Sequence, residues 1–211
     1  MFKNDPIFKA IVFVLVLLIT ATCLYIYFIF FHKPKENLQN YFPKPTETLK
    51  YSGSFGYNYY INLATTNTNE GNTEYIFTGK ALENVATEVD SNNLRLKIRY
   101  VLQGDSIIEY FDMGELSYNK FKKLTILKSN LKTGDTWQEN TTLTTGETVL
   151  VTTSVLSVSD DIVVKYSASQ NNEVIHEEVR TYKKGAFITD IKYTTLDEDG
   201  KEYSYRIFRT N

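Results

Sequence analysis

The chain has little with which to build covalent or metal chemistry. Of its 211 residues one is cysteine, Cys23, and two are histidine, His32 and His176. Cys23 lies in an apolar N-terminal run, so the rest of the chain can form no disulfide, and a His/Cys zinc site lacks its ligands. No Gly-rich run opens a helical pattern as a phosphate loop would, and no G-x-S-x-G elbow offers an activated serine. A basic excess is missing too. Lys and Arg number 23 against 25 Asp and Glu, which argues against a nucleic-acid binder, whose footprint would be a basic stripe. No cofactor, no metal and no enzyme activity is expected.

Charge is also absent from Ala10 to Phe31, 22 residues long. As a helix this run would be about 33 Å long, enough to cross a hydrocarbon core of about 30 Å. A cleaved signal peptide would have a shorter apolar region followed by small residues. Here Tyr25, Tyr27, Phe28, Phe30 and Phe31 follow instead, in the manner of an interfacial aromatic belt. Thr22 before Cys23 is a poor fit to a lipobox. The segment 10–31 is therefore expected to be an uncleaved membrane anchor. Residues 1–9 would be a short cytoplasmic tail. Lys3 and Lys9 precede the span and Lys33, Lys35, Lys44 and Lys50 follow it, a balance that by itself would keep the C-terminal domain inside. Since long domains translocate largely regardless of charge, the C-terminal domain is placed outside the cell membrane.

All four prolines (6, 34, 43 and 45) precede residue 46, and all ten glycines follow residue 52. A long proline-free stretch with glycine at intervals suits an extensive sheet. Residues 32–49, polar and carrying Pro43 and Pro45, read as a linker, and 50–211 as an extracytoplasmic β domain. Alternation supports this. Leu94, Leu96, Ile98, Tyr100 and Leu102 share one face of a half-buried strand. Thr148–Val158 is apolar or β-branched on both faces, as a central strand would be. Further strands are expected at Tyr57–Leu63, Glu74–Gly79, Ser106–Asp112, Lys123–Leu127, Trp137–Leu143, Ile162–Ala168, Val174–Tyr182, Phe187–Thr195 and Glu202–Arg209. Asp199-Gly200 is a hairpin signal. The short connections leave no room for crossover helices. The expected fold is mainly β: a curved, mostly antiparallel sheet or half-barrel of about ten strands. One short helix is expected at Lys80–Val89, from the spacing of Leu82, Val85, Ala86 and Val89. Gln103–Ile108 and Gln170–Ile175 echo each other, as half-repeats or as generic hairpins.

Candidate chemistry is sparse. His176 lies beside Glu177 and Glu178 and reads as an exposed strand histidine paired to a carboxylate. Glu177/Glu178 and Asp160/Asp161 are consecutive, so each pair points to opposite faces and converges on nothing; Asp105/Glu109 is the third carboxylate pair. Tyrosine is the unusual residue. Tyr57, Tyr59 and Tyr60 cluster, as do Tyr203 and Tyr205. Two readings stand: cross-strand packing with surface hydroxyls, or a partner or ligand surface built from those five.

Three stretches resemble a known group when taken together: Tyr41-Phe42-Pro43 with Tyr51-Ser52-Gly53, Ile126 to Trp137, and Thr181 to Ile188. They resemble uncharacterised extracytoplasmic proteins of low-GC Gram-positive bacteria, which are lipoproteins or carry one membrane helix ahead of an all-β domain. The resemblance implies an envelope location and a curved antiparallel sheet, and no activity. This chain departs from the pattern in having a membrane span where the group's lipid-anchored Cys would be. The expected function is a non-catalytic interaction or structural module of a cell-envelope assembly, with an envelope protein as partner. The alternative is a binder, carrier or sensor of a lipid or other hydrophobic ligand.

Overall fold

The computed structural model describes residues 6–31, 36–54, 58–82, 95–113, 120–196 and 202–210. They divide into two units, the N-terminal segment up to Glu36 and the chain from Asn37 onward.

The first unit contains helix α1, Pro6–Phe31, 26 residues. Proline suits its first position, where no intrahelical bond needs the missing N–H. Its polar hydroxyls are satisfied within the helix. Thr20 donates to the Val16 and Leu17 carbonyls, and Thr22 to Leu18, which removes the cost of exposing them to an apolar medium. Pro6–Phe28 is long and apolar enough to cross a membrane, as an anchor or as a signal sequence.

The described residues of the second unit form a meander of twelve strands. β1 (Thr48–Gly53), β2 (Asn58–Asn69), β3 (Asn72–Leu82), β4 (Arg95–Gln103), β5 (Ser106–Met113) and β6 (Lys123–Lys128) form one run. β7 (Thr136–Thr142), β8 (Thr148–Val158), β9 (Asp161–Gln170), β10 (Glu173–Lys183), β11 (Phe187–Leu196) and β12 (Glu202–Arg209) form the other. The spatial order is β6-β5-β4-β3-β2-β1-β12-β11-β10-β9-β8-β7, with every paired strand antiparallel. β1 and β12 pair through Tyr51–Gly53 and Ile207–Arg209. The sheet curls until its edges meet, so the curved antiparallel sheet expected from sequence is a nearly closed barrel of twelve strands.

The seam between β6 and β7 is closed differently from the rest. A single bridge joins Phe121 and Leu143, beside backbone bonds from Lys122 to Thr142 (2.9 Å) and Thr144 to Lys120 (2.8 Å). Further along, side chains replace the ladder. The Glu139 carboxylate accepts from the Thr125 N–H at 2.7 Å and from its hydroxyl at 3.1 Å, and Thr141 donates to the Lys123 carbonyl.

Two expectations are corrected here. The stretch read as a linker joins the fold from Asn37 onward. Residues 38–41 form a 3-10 helix whose N-terminus is capped by the Asn37 side chain. Leu38, Tyr41 and Phe42 are buried, and Phe42 stacks between Tyr75 (3.8 Å) and Phe187 (4.8 Å). Three apolar residues outweigh the prolines beside them. In the predicted helix, Lys80 to Leu82 belong to β3; the remainder, with the Asp199-Gly200 turn, lies outside the described residues. The echoed sequences do not mark half-repeats. β4 and β9 run in opposite directions, so the turns after Gln103 and Gln170 lie at opposite ends of the barrel.

One close approach depends on a missing side chain. Gly79 pairs with Ile61 and Leu96, and a Cβ there would overlap the Tyr60 carbonyl oxygen and lie 2.8 Å from Ile61 Cα. Both obstacles are backbone, which cannot swing aside. Gly79→Ala is therefore expected to destabilise the domain by about 1–3 kcal/mol or more, the range for overpacking. Thermal unfolding would show a midpoint several degrees lower; an unchanged midpoint would mean that β2 and β3 lie further apart.

Candidate functional site

β10 carries its polar residues inward. A register shift between Val174 and His176 turns the strand, leaving Val174 exposed and placing His176, Glu178, Arg180 and Tyr182 in the interior. His176 is 4 % exposed and Glu178 and Arg180 are fully buried. The exposed histidine expected from sequence is thus a core residue, because two-residue alternation keeps it in phase with the inward Glu178, Arg180 and Tyr182. Its partner is Glu178, at 3.5 Å from Nε2. Glu177 faces outward, where the bond from Lys165 at 2.5 Å, with a second from Ser167, holds its carboxyl below the ordinary range.

Arg180 joins two carboxylates. Its Nε donates to Glu178, and its Nη1 donates to Glu109 of β5 at 2.9 Å across the barrel. The guanidinium lies 5.4 Å from the Tyr166 ring centroid. Tyr166 donates to the Ile126 carbonyl at 2.6 Å and so accepts from the Tyr182 hydroxyl at 2.7 Å. Aromatic rings fill the rest of this region. Phe121 packs edge-on to His176 at 5.6 Å, and Tyr193 lies 6.2 Å from it. Asp105 stays exposed near Ser106, so the Asp105/Glu109 pair does not form. The carboxylates that converge are Glu109 and Glu178, from strands far apart in sequence.

This cluster resembles a relay of acid, base and cation, but its burial limits what it can do. A general base must reach the proton it abstracts, and a substrate could meet these groups only by entering the packed interior. Among the described residues, no three His, Cys, Asp or Glu are placed to hold a metal ion. Physically the cluster is a strut between β5 and β10.

Among the described residues, the predicted tyrosines do not share one surface. Tyr57 lies outside the described residues. Tyr59 is buried and stacks on Tyr51 at 4.5 Å. Tyr51 in turn donates to the Ile188 carbonyl at 2.9 Å. Tyr205 stacks on Tyr193 at 4.8 Å, with Tyr203 on the same half-buried row. Of the four described, Tyr60 looks outward. It is half-buried in a groove of about 410 Å³ whose other walls include Asn62, Thr78, Lys80, Arg95 and Lys97. Sheet register sets Tyr60 in a cross-strand row: Lys50 is its partner on β1, Lys80 its partner on β3, and Arg95 the partner of Lys80 on β4. Sequence reading missed this row because its successive members stand 10, 20 and 15 residues apart in the chain.

No protein-family model matches the chain, and no curated protein matches it. Among solved structures, a candidate lipoprotein from Parabacteroides distasonis is similar at a TM-score of 0.50 and 11% identity, over 81% of this chain and 97% of that one. At that identity the likeness is one of fold. It carries a barrel architecture shared with a bacterial candidate lipoprotein, and it does not extend to the low-GC Gram-positive family.

The interior strut makes two predictions. Arg180→Met leaves two buried carboxylates without their cation and is expected to cost about 3–5 kcal/mol in chemical denaturation. Replacing Arg180, Glu109 and Glu178 together by apolar residues of similar volume should recover most of that loss. The second concerns acid. Burial alone would push the Glu178 carboxyl up, but the Arg180 guanidinium and the His176 ring hold it below its ordinary value of 4.5. A folded pKa below the unfolded one contributes stability that is complete above about pH 4.5 and is lost as pH falls through the folded value. Unfolding midpoints measured from neutral to acid pH should hold steady in this respect and then drop below about pH 4.5. Arg180→Met should lose this part of the acid sensitivity.

Proposed function

We propose that the chain is a single-pass membrane protein whose β barrel lies outside the cell membrane and serves as a non-catalytic interaction module of a cell-envelope assembly. The observation that carries this reading is the sealing of His176, Glu178, Arg180 and Glu109 inside the barrel. The groups best suited to proton transfer are spent on holding strands together, while the outer face keeps a groove with an aromatic side chain and several cations. The apolar helix supports membrane attachment, and the likeness in fold to a candidate lipoprotein supports an envelope location. The sequence resemblance points the same way, with the helix standing in for a lipid anchor.

A lipid carrier has less support. Carriers of that type keep an apolar space for acyl chains, whereas Phe42, Phe187, Tyr75 and Tyr100 pack together in this interior and the ionic strut crosses it.

The test begins with location. Cys23→Ser with Thr68→Cys leaves a single thiol on the exposed part of β2. A membrane-impermeant maleimide applied to intact cells should label it; labelling only after lysis would overturn the extracytoplasmic reading. A photo-crosslinking phenylalanine derivative at position 60 should then yield a discrete macromolecular adduct in cells. An adduct of lipid mass would favour the carrier instead.

A further inference from the structure

Basic side chains gather on the outer face of β1–β4 in an arrangement that sheet pairing itself opposes. Lys80 and Arg95 are direct cross-strand partners, and like charges placed opposite each other destabilise a sheet. Neither makes an ion pair among the described residues. Among the described residues, the carboxylates Glu74 and Asp112 on the same outer face are engaged elsewhere: Glu74 pairs with Arg99 at 3.3 Å, and Asp112 with Arg99 at 3.0 Å and Lys97 at 4.0 Å. Lys50, Tyr60, Lys80 and Arg95 follow one another across four strands, a row about 14 Å long at the usual strand spacing.

We infer that this row and its groove bind a slender, linear phosphate polymer laid across the strands of β1–β4. Three features of the row select that ligand. Cations set in a line match a chain of repeated negative charges. Tyr60 is half-buried within the groove and stands between Lys50 and Lys80 in the row, so a thin chain lying along the row meets it. The planar fork of Arg95 suits two oxygens of one phosphate, and the lysines act as point charges on its neighbours. The Tyr60 hydroxyl supplies a donor between them. This deepens the interaction-module reading and rests on it.

The experiment uses the full chain in an uncharged detergent, titrated with inorganic polyphosphate by calorimetry. Binding is expected, weakening steeply as salt is raised. The Lys80→Gln/Arg95→Gln double variant should bind at least about tenfold more weakly, the scale of losing two charge-assisted contacts. That variant should melt no lower than the parent, since it relieves a like-charge pair, so the loss cannot be laid to misfolding. Absence of binding, or equal binding by the double variant, would overturn the inference. Equal binding of poly-glutamate would overturn the choice of phosphate. Binding to phosphatidylglycerol vesicles in place of polyphosphate would assign the row to a membrane surface instead. The maleimide labelling tests location separately, so a failure here and a failure of the envelope reading are distinguishable.

Discussion

One guanidinium shared between two carboxylates sets the cross-section of this barrel. Arg180 meets Glu178 on its own strand and Glu109 on β5, with no exposure to water. Taking such ions out of water costs several kcal/mol each, and their attraction offsets this only where the geometry is tight. The two strands must therefore face each other at one register, and everything between them must accommodate that distance. The tyrosine hydroxyls follow the same rule. Tyr166 reaches from β9 to the Ile126 carbonyl on β6, and Tyr51 from β1 to Ile188 on β11. Directed bonds from distant strands thus fix an interior that apolar packing alone would leave freer to rearrange.

Most of the strands were legible because alternation is a local property. The predicted Glu202–Arg209 coincides with β12, and Phe187–Thr195 and Thr148–Val158 agree with β11 and β8 to within a residue. β1 escaped notice because its six residues follow two prolines and are too few to show a pattern. Leu38, Tyr41 and Phe42 were overlooked for a related reason: a short apolar group among polar neighbours has no period. The strut lay beyond sequence reading altogether. His176, Glu178 and Arg180 share a face at two-residue spacing, but that face reads as the solvated one, and the partner Glu109 is 71 residues from Arg180.

Tyrosine shows the limit most sharply. Its ring belongs in a core and its hydroxyl at a surface or on a carbonyl, so composition cannot say which side a given tyrosine takes. Tyr59 and Tyr60 are neighbours with opposite fates, one stacked inside on Tyr51 and the other facing the basic groove. Only the register of β2 against β1 and β3 decides between them, and register is a property of three strands at once.

The seam between β6 and β7 sets the order of assembly. Thr125 and Glu139, which bridge it, are 14 residues apart, whereas Glu47 and Arg209, beside the β1–β12 joint, are 162 apart. Loop-closure entropy makes the longer join harder by about 2 kcal/mol, and it is the longer join that carries the regular ladder. Each half, β1–β6 and β7–β12, can grow by hairpins from its neighbours in sequence. The union of the chain's two ends is then the high-contact-order step that paces folding. A chain lacking β12 would keep its cheap local seam and leave β1 as a bare edge.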